Sequence, residues 1–79
     1  MTLITTVTSS RTVEIQTDPL APPLTVTRAA LIAASRRAQA SATGLANVSG
    51  RFPHGGAGLV TLDEGQISEL IEDLNRAAS

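Results

Sequence analysis

The side chains with the most chemical range sit together in Gly50-Arg51-Phe52-Pro53-His54-Gly55-Gly56-Ala57-Gly58. This stretch holds four of the six glycines, the only phenylalanine and the only histidine of the chain. Three kinds of chemistry can be tested against it. Backbone N–H groups in a glycine-rich turn can cradle an anion, with Arg51 adding a forked donor. The nucleotide-binding spacings are missing, however: there is no G-x-G-x-x-G and no G-x-x-x-x-G-K-[ST]. The glycines also precede a strand pattern rather than a helix N-terminus, so no helix dipole assists an anion there.

His54 is the second possibility. As a general base it needs a nucleophile beside it, and hydroxyl side chains are too common here for proximity alone to select one. The G-x-S-x-G elbow is absent. A metal site is not expected either. The chain has no cysteine, and its acidic residues gather in the last helix, away from the single imidazole. No catalytic residue, cofactor or metal is therefore expected, and the chain does not read as an enzyme. The third possibility is contact with another protein. Arg51 and Phe52 are the residue types that dominate interface energetics, and Phe52 serves either as a core plug or as an exposed anchor.

Seventy-nine residues support one small domain, which buries only roughly 60 % of its unfolded surface. Without cysteine, disulfides cannot add stability. Oligomerisation or docking on a partner is the remaining way to cover apolar surface. Charge is unevenly placed. Residues 1–58 carry Arg11, Arg28, Arg36, Arg37 and Arg51 against Glu14 and Asp18, a net of +3. Residues 59–79 carry Arg76 against Asp63, Glu64, Glu69, Glu72 and Asp73, a net of −4. The halves either face each other, or face solvent, or attract the opposite half of another copy or a partner's basic surface. All cations are arginine and twelve residues are alanine, a composition that points to GC-rich coding, as in an actinobacterium or its phage. No signal-peptide pattern and no run of roughly 20 apolar residues is present, so a cytoplasmic protein, or part of a particle assembled there, is expected, with no membrane association.

The elements that must position these residues follow from periodicity. Residues 2–17 alternate and are rich in β-branched types, with Ser9-Ser10 between two runs, which predicts a β-hairpin or a single extended arm. Three prolines in Asp18-Pro19-Leu20-Ala21-Pro22-Pro23 make 18–24 a stiff connector. A helix is expected over 27–43, with Thr27 as its cap, Val26 and Leu31 as a hydrophobic staple and Gly44 closing it. Leu31, Ala34, Ala38 and Leu45 share its inward stripe, while Ile32 lies about 100° off and offers a second contact. Residues 44–58 are expected to form a long glycine-rich loop, with Leu45–Val48 a last helical turn or short strand inside it.

The C-terminus carries the strongest pattern. A strand is expected over 59–62 and a helix over 63–78. Asp63 and Gln66 form a capping box, and Leu62 and Ile67 a staple. Ile67, Leu70, Ile71, Leu74 and Ala78 fall on one stripe. The expected fold is α+β, a small single domain with both helices on one face of a small sheet. The expected function is a non-enzymatic interaction or assembly protein, oligomeric or an accessory subunit, of a phage particle or acting on a host protein. Its candidate interface residues are Arg51, Phe52 and Ile32. One alternative is a small DNA-binding regulator using Arg28, Arg36 and Arg37. Those cations are spread around the helix, though, and the chain has neither stacking aromatics nor net positive charge, so nucleic acid is the weaker partner. A second alternative is an anion or nucleotide binder at the glycine segment.

Overall fold

The computed structural model describes residues 3–78. Thr2, where the N-terminal alternation begins, lies outside them. The chain forms β1 (Ile4–Val7), β2 (Thr12–Gln16), β3 (Leu24–Thr27), α1 (Arg28–Ala40), β4 (Leu45–Arg51), β5 (Ala57–Asp63) and α2 (Glu64–Ala78). The five strands make one antiparallel sheet in the order β1-β2-β3-β4-β5. This is the expected α+β fold, with the N-terminal hairpin and the C-terminal helix in place.

The β1–β2 hairpin lacks an Asn-Gly turn, and hydroxyls do that work instead. Thr8 and Ser9 both direct their N–H groups to the Thr12 carbonyl, and their side-chain oxygens lie 2.7 and 2.8 Å from Thr12 Oγ1. The proline-rich connector is closed by Asp18, whose Oδ1 accepts from the N–H groups of Leu20 and Ala21. Gln16 Nε2 then donates to the Ala21 carbonyl at 2.9 Å. The chain is thereby turned back into β3, an element the connector and the helix cap together hide in the sequence.

Thr27 caps α1 as expected, its hydroxyl accepting from the Ala30 N–H at 3.2 Å. The staple residues Val26 and Leu31 are both buried. The helix ends at Ala40 rather than Ala42 or Thr43, and Ser41 directs its N–H to the Ala38 carbonyl. Gly44, at φ 71°, closes a separate turn with Ser41 rather than the helix.

The long glycine-rich loop is not one. Leu45–Arg51 is a seven-residue strand, fully paired with Ala57–Asp63. Only Phe52–Gly56 turns. Gly55 donates to the Phe52 carbonyl at 3.0 Å and Phe52 to the Gly56 carbonyl at 2.7 Å. Gly55 sits at φ 96°, where a side chain would be strained. Leu45, expected on the helix stripe, instead opens β4 and is exposed on the far face of the sheet.

One face of the sheet is covered. Val13, Ile15, Leu24, Val26, Ala46, Val48 and Leu62 point inward, against Leu31, Ala34 and Ala38 of α1 and Ile67, Leu70 and Leu74 of α2. The second helix is held by both halves of its capping box. Gln66 donates from its N–H to Asp63 Oδ1 at 2.8 Å, and Asp63 donates from its N–H to Gln66 Oε1 at 3.0 Å. Arg76 pairs with Asp73, one residue nearer than the Glu72 that i,i+4 spacing selects. The other face stays open and is mostly hydroxyl and amide bearing: Thr12, Thr25, Thr27, Asn47, Ser49 and Thr61.

Strands β3 and β4 share a single register pair, Thr25 with Arg51. Beyond it, β3 gives way to α1, which continues alongside β4. From α1, Arg37 reaches across to β4, and its Nη2 donates to the Asn47 carbonyl at 2.6 Å. The guanidinium satisfies a strand carbonyl that β3 is too short to reach.

Candidate functional site

Strand alternation separates the candidate residues that adjoin in sequence. Arg51 is the last residue of β4 and lies on the open face with Thr25 and Ala57. With Thr27, Ala30, Ser49 and Gly50 they line a shallow depression of about 380 Å³ at the β3–β4 junction. Phe52, one residue on, turns its ring to the opposite face. There it is half-buried and packs against the core. Ile32 is half-buried elsewhere, in a depression lined by Arg11, Thr12, Thr27, Arg28 and Ala29. The three expected interface residues thus do not share a surface.

The setting of Phe52 is built by two glycines. Gly50 and Gly58 are directly paired across β4 and β5. A Cβ on Gly58 would lie 2.6 and 2.8 Å from the Phe52 ring, so the ring rests on the bare backbone there. A Cβ on Gly50 would lie 2.5 Å from the Thr25 carbonyl oxygen and 2.9 Å from Leu24 Cγ. The ring fills what the missing side chains leave, and His54 stacks on its outer side at 5.6 Å between centroids. Beside the ring is an apolar cleft of about 160 Å³ bounded by Ile15, Pro22, Leu24, Leu59 and Val60.

The three arginines of the nucleic-acid reading are placed individually. Arg28 Nη2 donates to Asn75 Oδ1 at 2.8 Å, tying the start of α1 to the end of α2. Arg37 is engaged with Asn47, and Arg36 is exposed. Arg28 and Arg37 project about 180° apart on the helix, so they form no common cationic face. His54 has Phe52 as its ring neighbour, and among the described residues no three His, Cys, Asp or Glu side chains are grouped to hold a metal ion. No described helix is long and apolar enough to cross a membrane.

The feature that sequence reasoning passed over is the outer edge of β5. This strand has a neighbour on one side only. Phe52 bonds to Gly56 and Glu64 N–H to the Gly44 carbonyl at either end of the hairpin, so the even-numbered residues of β5 face β4. The odd-numbered ones, Ala57, Leu59, Thr61 and Asp63, direct their backbone groups outward. Ala57 to Leu62 contains no charge and no proline, the usual devices that blunt an edge. Leu59 is 69 % exposed on this strand. The signal in the sequence was the uninterrupted run itself. The strand expected over 59–62 extends in the structure over Ala57–Asp63. By contrast β1, at the other edge, has four residues, two of them threonine.

No protein-family model matches the chain, and neither the curated proteins nor the solved structures contain a significant match.

Proposed function

We propose that this protein is a non-enzymatic interaction module that docks protein partners through the outer edge of β5. One observation carries this reading: a seven-residue edge strand with an exposed leucine and no protecting charge or proline over its first six residues. Backbone N–H and C=O groups along such an edge supply affinity to an added strand, and alternate side chains supply selectivity. Phe52, whose ring lies over Gly58 of β5, borders any strand added there, while Arg51 on β4 lies one strand further in. A photo-crosslinking residue in place of Leu59, compared with one at the exposed Ser68 of α2, tests the reading in cells. Adducts at Leu59 and none at Ser68 are expected. An absence of adducts at Leu59, or equal labelling at both positions, would remove it.

A further inference from the structure

We infer that the strand that fills this edge is β5 of a second copy, paired antiparallel about a two-fold axis at Leu59. The inference rests on the docking reading above and specifies its partner.

The first ground is the set of backbone groups left to bond. Four residues of β5 face outward, but Asp63 is already committed: its N–H donates to Gln66 Oε1, and it opens α2 as the capping residue. Ala57, Leu59 and Thr61 remain. An odd set of three outward residues is self-complementary about its middle member. Ala57 then lies opposite Thr61 of the second copy, Leu59 opposite Leu59, and Thr61 opposite Ala57. Every outward N–H and C=O of these residues finds a partner. A two-fold at Val60 would pair Ala57 with the committed Asp63 and waste half of the contact.

The second ground is side-chain fit on both faces. On the open face the most exposed leucine of the strand meets its own copy, covering the apolar surface that Leu59 leaves in water. On the inner face, directly opposite residues sum to the same register, so Val60 lies opposite Gly58 of the second copy. Gly58 is the residue whose missing Cβ is filled by the Phe52 ring. The half-buried Val60 of each copy therefore comes against the half-buried Phe52 of the other, beside the cleft that Leu59 and Val60 border.

The third ground is charge. Antiparallel pairing brings the Asp63–Glu64 end of each copy toward the turn end of the other, where Arg51 is exposed. Among the described residues the one ion pair is Arg76 with Asp73, so Arg51 is in no ion pair within its own chain, and the Asp63 carboxylate caps α2 through Oδ1. Arg51 and the Asp63–Glu64 pair, opposite in sign, are thus brought toward each other across the axis. The contact is narrow, so the dimer is weak and concentration-dependent.

Sedimentation velocity from about 5 to 500 μM, a range that brackets micromolar association, reads the oligomeric state. A monomer–dimer equilibrium is expected. Leu59→Lys sets two like charges opposite each other and weakens the dimer at least about tenfold. Its thermal midpoint at low concentration is expected to match the parent, because Leu59 is not a core residue. The native chain has no cysteine, which makes register readable by oxidation. Leu59→Cys is expected to form a disulfide dimer, as is a mixture of Ala57→Cys and Thr61→Cys, and Val60→Cys alone is not. A chain that stays monomeric at every concentration overturns the inference, as does a dimer unaffected by Leu59→Lys or crosslinked through Val60→Cys. If the chain is monomeric but the Leu59 photo-adduct contains a different protein, the docking reading stands and self-pairing falls.

Discussion

At one end of the sheet's inner face, two helices press large side chains onto the strands; at the other, β4 and β5 offer the paired glycines Gly50 and Gly58 in place of inward side chains. Leu31, Ile67 and Leu74 fill the first region over Val13, Val26, Val48 and Leu62. Gly50 and Gly58 define the second, and one half-buried phenylalanine lies in the notch. The helix-covered region gains stability by removing apolar area from water. The Phe52 region gains close approach: β3 reaches β4, and Leu24 reaches toward Gly58, because two Cβ atoms are missing. The first region therefore has the greater energetic weight. The second sets the geometry of the β4–β5 hairpin, and so the edge that β5 presents.

The comparison breaks most visibly at Leu74. It is fully buried between α2 and the sheet, and Leu74→Ala removes its contacts without any charge or cap being touched. The expected cost is about 2–5 kcal/mol. For a chain of this length that is a large share of the total stability. Urea denaturation followed by circular dichroism is expected to show a much lower midpoint, or no cooperative transition. A loss below about 1 kcal/mol would mean that the helix-covered region is not the dominant core.

The same two regions differ in how much their sequences disclose. Over α2 the local signals largely agree: Asp63 with Gln66, Leu62 with Ile67, and, of the expected stripe, Ile67, Leu70 and Leu74, while Ile71 is half-buried and Ala78 is exposed. Apart from those last two, each reappears as a bond or a buried residue. In Leu45-Ala46-Asn47-Val48-Ser49-Gly50-Arg51 the alternation of a strand is present, but it is inverted in size. The inward residues are Ala46, Val48 and Gly50, while the large apolar Leu45 points out. Strand recognition weighs apolar bulk, and here the inward positions are small because α1 and the Phe52 region approach closely. Strand β3 is masked differently. Thr27 ends the strand and caps the helix, and the prolines before it signal a linker. The β5 edge was illegible for a third reason: exposure of an edge is a property of sheet order, which no local pattern carries. Arg51 and Phe52 are legible as unusual residues, yet their separation onto two faces follows only once β4 is known to be a strand.

A sharper probe of the Phe52 region is Gly50→Ala. The new methyl would meet the main-chain oxygen of Thr25, an atom that cannot swing aside as a side chain can. Since Thr25 and Arg51 form the single register pair between β3 and β4, the strain falls on the weakest seam of the sheet. A loss of about 1–3 kcal/mol is expected, less than at Leu74. Amide exchange would show it locally, with faster exchange at Thr25 and Arg51 and retained protection at Val48. Uniform loss of protection would instead make the seam part of the global unfolding unit.

The smallest effect carries the most specific information, because it isolates one contact. At Gly58 the obstacle is the Phe52 ring, the far part of a side chain that sits only half-buried. Gly58→Ala alone forces the ring outward, and Phe52→Ala alone empties the notch. In Phe52→Ala/Gly58→Ala the new methyl occupies space the ring has left. The double variant is expected to lose less stability than the sum of the two singles, with a coupling of about 0.5–2 kcal/mol. Leu24 Cδ1, 3.1 Å from the same Cβ position, keeps the compensation incomplete. Additive losses would show that the ring does not rest on Gly58 in solution. They would also loosen Phe52 from the β5 edge, since its ring reaches that edge over Gly58.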